Sequence, residues 1–283
     1  SLGSVYALIA LGYTMVYGIA KMLNFAHGDV IMIGSYVVYF AFGASGLNPV
    51  LSIVLSMIVC TILGVVIERL AYRPLREAPS LAVLITAIGV SYLLQQVAQL
   101  SWSSNPKSFT SVVSGMKPVS LFGGQLTISA ETIVTIVACV VIMVVLMWFV
   151  NYTPAGHAML AVSEDRGAAQ LMGVNVNGTI SLTFAIGSAL AAIAGVLLCS
   201  FNTSLMPTTG SMPGIKAFTA AVFGGIGSIP GAFLGGLLLG IIEALAKAYI
   251  STTLANAIVF AVLIVVLLVK PAGLLGKYVP EKV

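Results

Sequence analysis

The sequence predicts an all-α polytopic transmembrane bundle of about 8–10 helices, some short or broken, with one short amphipathic helix on the cytoplasmic side. Three observations predict it. The chain of 283 residues is 59% hydrophobic, with a mean hydropathy of +1.12. Only 7% of its residues are charged, where a soluble domain carries about 25%. Its apolar runs reach the roughly 20 residues that a helix needs to cross the hydrocarbon core, and they alternate too poorly for barrel strands.

Nine apolar segments follow one another, at 1–20, 30–42, 49–67, 81–101, 128–150, 180–200, 215–227, 231–249 and 254–269. The first begins without a charged n-region, so it reads as a span and not as a cleavable signal peptide. No initiator Met precedes it, and the native chain is expected to begin upstream. The second and seventh segments are short, about 20 Å at 1.5 Å per residue, and read as tilted spans or half-helices. Cations fix the expected orientation. Arg69, Arg73, Arg76, Arg166, Lys270, Lys277 and Lys282 fall on one side if the 68–79 loop, the 151–179 loop and the C-terminal tail share it. The long loop at 102–127 carries only Lys107 and Lys117. The first set is therefore placed in the cytoplasm together with the C-terminus. The net charge of +4 is a topology signal of this kind and gives no reason to expect nucleic acid.

The second half is rich in small residues four apart: Gly187, Ala191 and Gly195, then Gly227, Gly231 and Gly235, then Gly236 and Gly240. Such spacing lets helix backbones approach closely in lipid. The run "AAVFGGIGSIPGAFLGG" at 220–236 adds Gly224, Gly225, Gly227, Ser228 and a proline, a set expected to break a helix at membrane depth beside a transport pathway.

Few residues carry chemistry. In "KMLNFAHGD", Asn24, His27 and Gly28 would share a helical face and line a cavity or gate; alternatively they form a turn between spans, capped by Asp29. Glu243 and Lys247 are four apart and read as a self-neutralising pair near the interface. The three cysteines, Cys60, Cys139 and Cys199, read as small buried hydrophobes. No metal site is expected, because one His beside one Asp does not supply the ligands zinc requires. No catalytic residues are expected either. Neither a serine–histidine constellation nor an HExxH motif is present, and "GGIGS" lacks the lysine of a phosphate-binding loop. The chain is not read as an enzyme and cannot hydrolyse ATP.

The stretch "TPAGHAMLAVSEDRGAAQLMGVNVNG" at 153–178 interrupts this pattern. Pro154 and Gly156 read as the end of the preceding helix, Ser163 as an N-cap with Glu164 and Asp165 in the first turn, and Gly173 as the stop. Ala168, Leu171 and Met172 fall at i, i+3 and i+4, giving one narrow apolar stripe. A helix of about nine residues is not stable alone in water, so it must dock, either on this chain's own helix ends or in a partner's groove.

The chain resembles the permease subunits of ABC importers for branched-chain amino acids, in a superfamily that also holds permeases for simple sugars. The resemblance rests on "GSVYALIALGYTMVYGIAKMLNFAHGD" (3–29), "GHAMLAVSEDRGAAQLMGVNV" (156–176) and "KAFTAAVFGGIGSIPGAFLGG" (216–236). It implies a single transmembrane permease domain over 1–283, with an extracytoplasmic loop at about 102–127 and a coupling segment at about 153–178. Coupling would be carried by Glu164, Asp165, Arg166, Ala168, Ala169, Leu171, Met172 and Gly173. Gly167 stands where other ABC importer loops have Glu, and no Leu-Pro follows Gly173, so individual contacts do not transfer. The resemblance further implies a second permease subunit, related or a copy of this one, two ATPase subunits that bind ATP and Mg, and an extracytoplasmic substrate-binding protein. The chain itself would bind no cofactor. It would sit in the plasma (inner) membrane of a bacterium or archaeon. Urea, short amides and simple sugars are the alternative substrates. An ATP-independent channel or secondary carrier is the alternative of a different class, and a scaffold without transport is a third.

Overall fold

The computed structural model describes residues 1–113, 118–121 and 126–276. Lys117, Lys277 and Lys282, counted above for orientation, lie outside the described residues. The nine apolar segments become nine long or half-length helices, and the 153–178 stretch supplies two more. The helices are α1 (Leu2–Ala20), α2 (His27–Val38), α3 (Pro49–Ile67), α4 (Ser80–Trp102), α5 (Ala130–Tyr152), α6 (Pro154–Glu164), α7 (Arg166–Leu171), α8 (Val176–Phe201), α9 (Ser211–Gly224), α10 (Ile229–Tyr249) and α11 (Ala255–Val269). Six of them are long and apolar enough to cross a membrane. Sheet among the described residues is confined to two short antiparallel pairs, which join Lys107–Ser108 to Ser204–Leu205 and Val119–Leu121 to Leu126–Ile128.

α1 is the central column. Nearly all of its residues are buried, and it packs on α10, α8 and α9. By contrast α3, α4 and α5 expose leucine, isoleucine and valine along much of their length, as a lipid-facing rim does.

Two units of the same design cross this core in opposite directions. In the first, α1 ends at Lys21 in the left-handed conformation (φ 54°). Residues 21–26 then turn back into the bundle, and α2 starts with the His27 ring set against Gly12 at the middle of α1. In the second, α8 ends at Phe201, residues 202–210 re-enter from the other end, and α9 starts at Ser211. α2 then packs on α3 and α8, and α9 packs on α10 and α1. The two half-helices start side by side. A Cβ on Gly28 would lie 2.6 Å from the Gly210 carbonyl oxygen, and one on Gly214 would lie 3.0 Å from the Gly28 Cα. From there α2 runs toward Trp102, whose ring lies 4.4 Å from that of Tyr36, while α9 runs toward Gly18 and the C-terminal segment.

Irregular backbone at this depth needs internal partners. The re-entrant stretches have them. Phe109 N–H donates to the Thr203 carbonyl at 2.7 Å, Met206 N–H to Thr209 Oγ1 at 2.7 Å, and His27 N–H to the Asn24 carbonyl at 3.1 Å. The seventh segment is thus a half-helix preceded by a non-helical stretch, whereas in the second α2 runs on into a π-helical turn at Tyr39–Ala44.

The Gly-rich run sits elsewhere than expected. Gly225 (φ 106°) and Gly227 (φ 94°) make a tight turn between α9 and α10, and Ser228 caps α10 by accepting from Gly231 N–H at 3.2 Å. This turn packs on Gly18 near the end of α1 and on Gly276, so it is at the end of the bundle and not at mid-depth. The small residues four apart are contact points between helices. Gly195 faces the Ile31 carbonyl, Gly235 faces Ala220 and Gly224, and Gly236 faces the Ala7 backbone. A Cβ on Gly236 would overlap Ala7, so Gly236→Val should force α1 and α10 apart. It is expected to destabilise the fold by about 1–3 kcal/mol, read as a lower unfolding temperature of the purified protein in detergent.

Candidate functional site

The meeting point of the half-helices opens into a cleft of about 310 Å³ between α2, α9 and α4. One part of its wall is polar: Asp29 from α2, Ser91 and Gln95 from α4, and Ser211 from α9. The other is apolar, with Phe25, Ile88, Tyr92 and Ile215. Gln95 joins the polar groups. Its Nε2 donates to Asp29 Oδ1 at 2.9 Å and contacts the hydroxyls of Ser211 at 3.2 Å and Ser91 at 3.3 Å. Asp29 is 1% exposed, and no Lys, Arg or His pairs with it among the described residues. The exposed side chains of Ile88, Tyr92 and Ile215 flank the mouth, which opens on the side of the bundle.

The polar cluster at 21–29 therefore enters the core and does not form a turn at the surface. Asn24 and His27 do not share a helical face. Asn24 precedes α2, and its Oδ1 accepts from Tyr72 O–H at 2.9 Å. His27 is buried against Tyr13, ring centroids 4.6 Å apart, and its Nε2 has no hydrogen-bond partner among the described residues. Asp29 is not a cap, because it lies inside the first turn of α2 and turns toward α4. Asn24, His27 and Gly28 do not line the cleft. Gly224, Gly225, Gly227 and Ser228 are not brought to it. Gln95, Ser91 and Ser211 escaped the sequence reading, because each is an ordinary polar residue in an apolar helix and only the fold brings them together.

A second buried group of charges lies toward the other end of α10. Glu243 is fully buried. It accepts from Lys216 Nζ at 2.7 Å and from Tyr6 O–H at 2.8 Å, and Lys247 Nζ lies 2.6 Å away. The Glu243–Lys247 pair is thus part of a network that ties α1, α9 and α10 together. Lys216, deep in an apolar segment, was not expected to join it.

At the Arg-rich end, Thr153 caps α6, with Oγ1 accepting from Gly156 N–H at 3.0 Å. Pro154 opens α6 and does not end α5, consistent with the preference of proline for a first helical position. Ser163 is not the cap of the next helix. It lies in the last turn of α6 and bonds back to the Leu160 carbonyl at 2.7 Å. Asp165 caps α7, with Oδ1 accepting from Gly167 and Ala168 N–H at 2.8 and 3.0 Å. Gly173 (φ 86°) ends it. Glu164 closes α6 and is exposed. Ala169 faces the bundle, whereas Ala168 is exposed, Leu171 is 91% exposed and Met172 85%. The apolar stripe therefore does not pack on this chain's own helices. Arg166 anchors the segment by donating from Nη2 to the Ala20 carbonyl at the end of α1. Burial, and then the nearby Arg76 charge, push its guanidinium below the ordinary value; an arginine stays protonated nonetheless. Beside it, the buried Glu68 accepts from Arg76 and from Ser181 Oγ, the latter at 2.6 Å, and Arg76 also reaches Asn177.

The family model described as branched-chain amino acid transport system / permease component matches residues 1–267. The chain belongs to this family. Among relatives of the permease, the high-affinity branched-chain amino acid transport system permease protein LivH of Salmonella typhimurium is 46% identical over the whole chain and 95% of that protein. BraD of Pseudomonas aeruginosa, named likewise, is 45% identical over the same shares. The fructose import permease protein FrcC of Rhizobium meliloti is 29% identical over 69% of this chain and 54% of its own. No solved structure matches. The permease is thus a multi-pass membrane protein whose amino-acid-transport relatives are nearer than its sugar-transport ones.

Removing Glu243 strands the buried Lys216. Glu243→Ala should cost about 3–5 kcal/mol, and Glu243→Gln combined with Lys216→Met should recover much of it. Thermal unfolding in detergent reads both.

Proposed function

We propose that this chain is the permease subunit of an ABC importer that carries branched-chain and other hydrophobic amino acids across the inner membrane of a bacterium or archaeon. The observation that carries the reading is α7, a capped helix too short to stand alone, which turns Leu171 and Met172 outward. The chain has no phosphate loop of its own, and an exposed i, i+1 apolar pair on an anchored helix suits a groove on an ATPase subunit. Two such subunits bind the ATP and Mg. The Arg-rich end and the C-terminus are cytoplasmic, and the loop at 102–127 faces the extracytoplasmic binding protein. A second permease subunit, related or a copy of this one, covers the mouth of the Asp29 cleft, which opens between the exposed apolar side chains of Ile88, Tyr92 and Ile215.

The coupling route then follows the covalent chain. Motion of the ATPase pulls α7. Arg166 passes the pull to the Ala20 carbonyl, at the point where α1 gives way to the re-entrant residues 21–26. Those residues lead directly into α2 and Asp29. Glu68, Arg76 and Ser181 hold the neighbouring helix ends, so the displacement is directed along this strand.

Proteoliposomes holding the complete complex should take up labelled leucine only when ATP and the binding protein are supplied; uptake without an ATPase would instead identify a carrier. Leu171→Asp should weaken co-purification of the ATPase by about tenfold or more and lower binding-protein-stimulated ATP hydrolysis. The variant should still insert in the membrane, which cell fractionation checks.

A further inference from the structure

We propose that the Asp29 cleft is a transit site that selects the α-ammonium group of a free amino acid, with the aliphatic side chain lying on Phe25, Ile88 and Ile215. The proposal rests on the permease reading above and adds what that reading lacks, a recognition element inside the membrane.

A carboxylate that is 1% exposed in the middle of a bundle is costly unless something compensates its charge. The other buried acids of the described structure have cations: Glu68 has Arg76, and Glu243 has Lys216 and Lys247. Asp29 has only neutral partners: Gln95 at 2.9 Å, the Ser91 hydroxyl and the N-terminal turn of α2. It also lines an open cleft, whereas Glu68 does not. The missing cation is one that arrives and leaves. No cluster of three metal-ligating residues occurs among the described residues, so a resident ion is not what the site is built for. A primary ammonium suits it, because three N–H donors can be shared between Asp29 and the hydroxyl oxygens beside it.

The rest of the wall fits the same solute. Ser91 already bonds the Asp29 carboxylate, whereas Ser211 accepts from Gln95 Nε2 and keeps its own O–H for a solute carboxylate. α2 and α9 begin here, and neither N-terminus has a side-chain cap, so the partial positive ends of two helices converge near the same point. At about 310 Å³ the cleft is near the small end of ligand sites, which run from about 300 to 1,000 Å³. Anionic and cationic complements within a few ångströms of an apolar wall describe a zwitterion with a hydrocarbon tail. A sugar or urea would leave Asp29 without its counter-charge.

The test uses proteoliposomes with the complete complex. Asp29→Asn should lower leucine uptake about tenfold or more, and Asp29→Glu should keep a substantial part of it. Co-purification of the ATPase and the second permease subunit checks that both variants assemble. Leucine uptake by assembled Asp29→Asn at the wild-type rate would overturn the proposal. A separate measurement avoids altering Asp29. Ser91→Cys in the full complex should be protected from a thiol reagent by leucine, and not by 4-methylpentanoate, which has the same carbon skeleton without the amine. Equal protection by both, or by neither, would overturn the ammonium assignment even if Asp29→Asn fails to assemble. If wild-type complex takes up no leucine at all, the permease reading fails, and the Asp29 proposal with it.

Discussion

The close approach of Gly28 and Gly210 is the constraint on which the rest of the structure depends. Two chain segments enter the bundle from opposite ends without helical hydrogen bonds and meet at its middle. Lipid offers no partner for such backbone, so it must be enclosed. α1 and α8 enclose it, and their small residues let the half-helices come within backbone contact. Any side chain at either glycine would strike a carbonyl, and the two half-helices would separate.

This junction explains the division of labour among the helices. The inner group, α1, α2, α8, α9 and α10, is built for close approach, with glycine and alanine at its crossings. The outer group, α3, α4 and α5, is built for lipid, with large aliphatic side chains turned out. The cleft lies where the groups meet, because α4 is the rim helix that carries polar residues inward to the half-helix ends. Electrostatics follow the same plan. Glu68 and Glu243, at opposite ends of the bundle, are paired with cations and fasten helices together, whereas Asp29, at the middle, is left without one.

The 153–178 segment, proposed above to couple the chain to an ATPase, is tied to the same junction. α7 is anchored by Arg166 to the carbonyl that ends α1, six residues of backbone away from α2. Ala169 holds the inner side of α7 while Leu171 and Met172 remain outside, so the helix is fixed to the permease on one side and free on the other.

The sequence by itself determined the nine apolar segments, their order, the two short ones among them, and the amphipathic segment with its apolar stripe, though not which way that stripe faces. These are local properties: hydropathy over a window and helical period need no distant contact. Caps were less legible. Ser163 and Asp165 are both good capping residues two positions apart, and only the extended backbone at Asp165 selects it. The tertiary structure alone decided where the polar residues of 21–29 go. From sequence they could equally have formed a surface turn, because nothing local tells a loop that returns to solvent from one that returns to the core. It also moved the Gly-rich turn at 224–228 to the end of the bundle and made a cleft from Asp29, Gln95 and Ser211. Those residues lie 66 and 116 positions apart along the chain. Bringing them to hydrogen-bonding distance is the work of helix packing, and packing is a property of the whole chain.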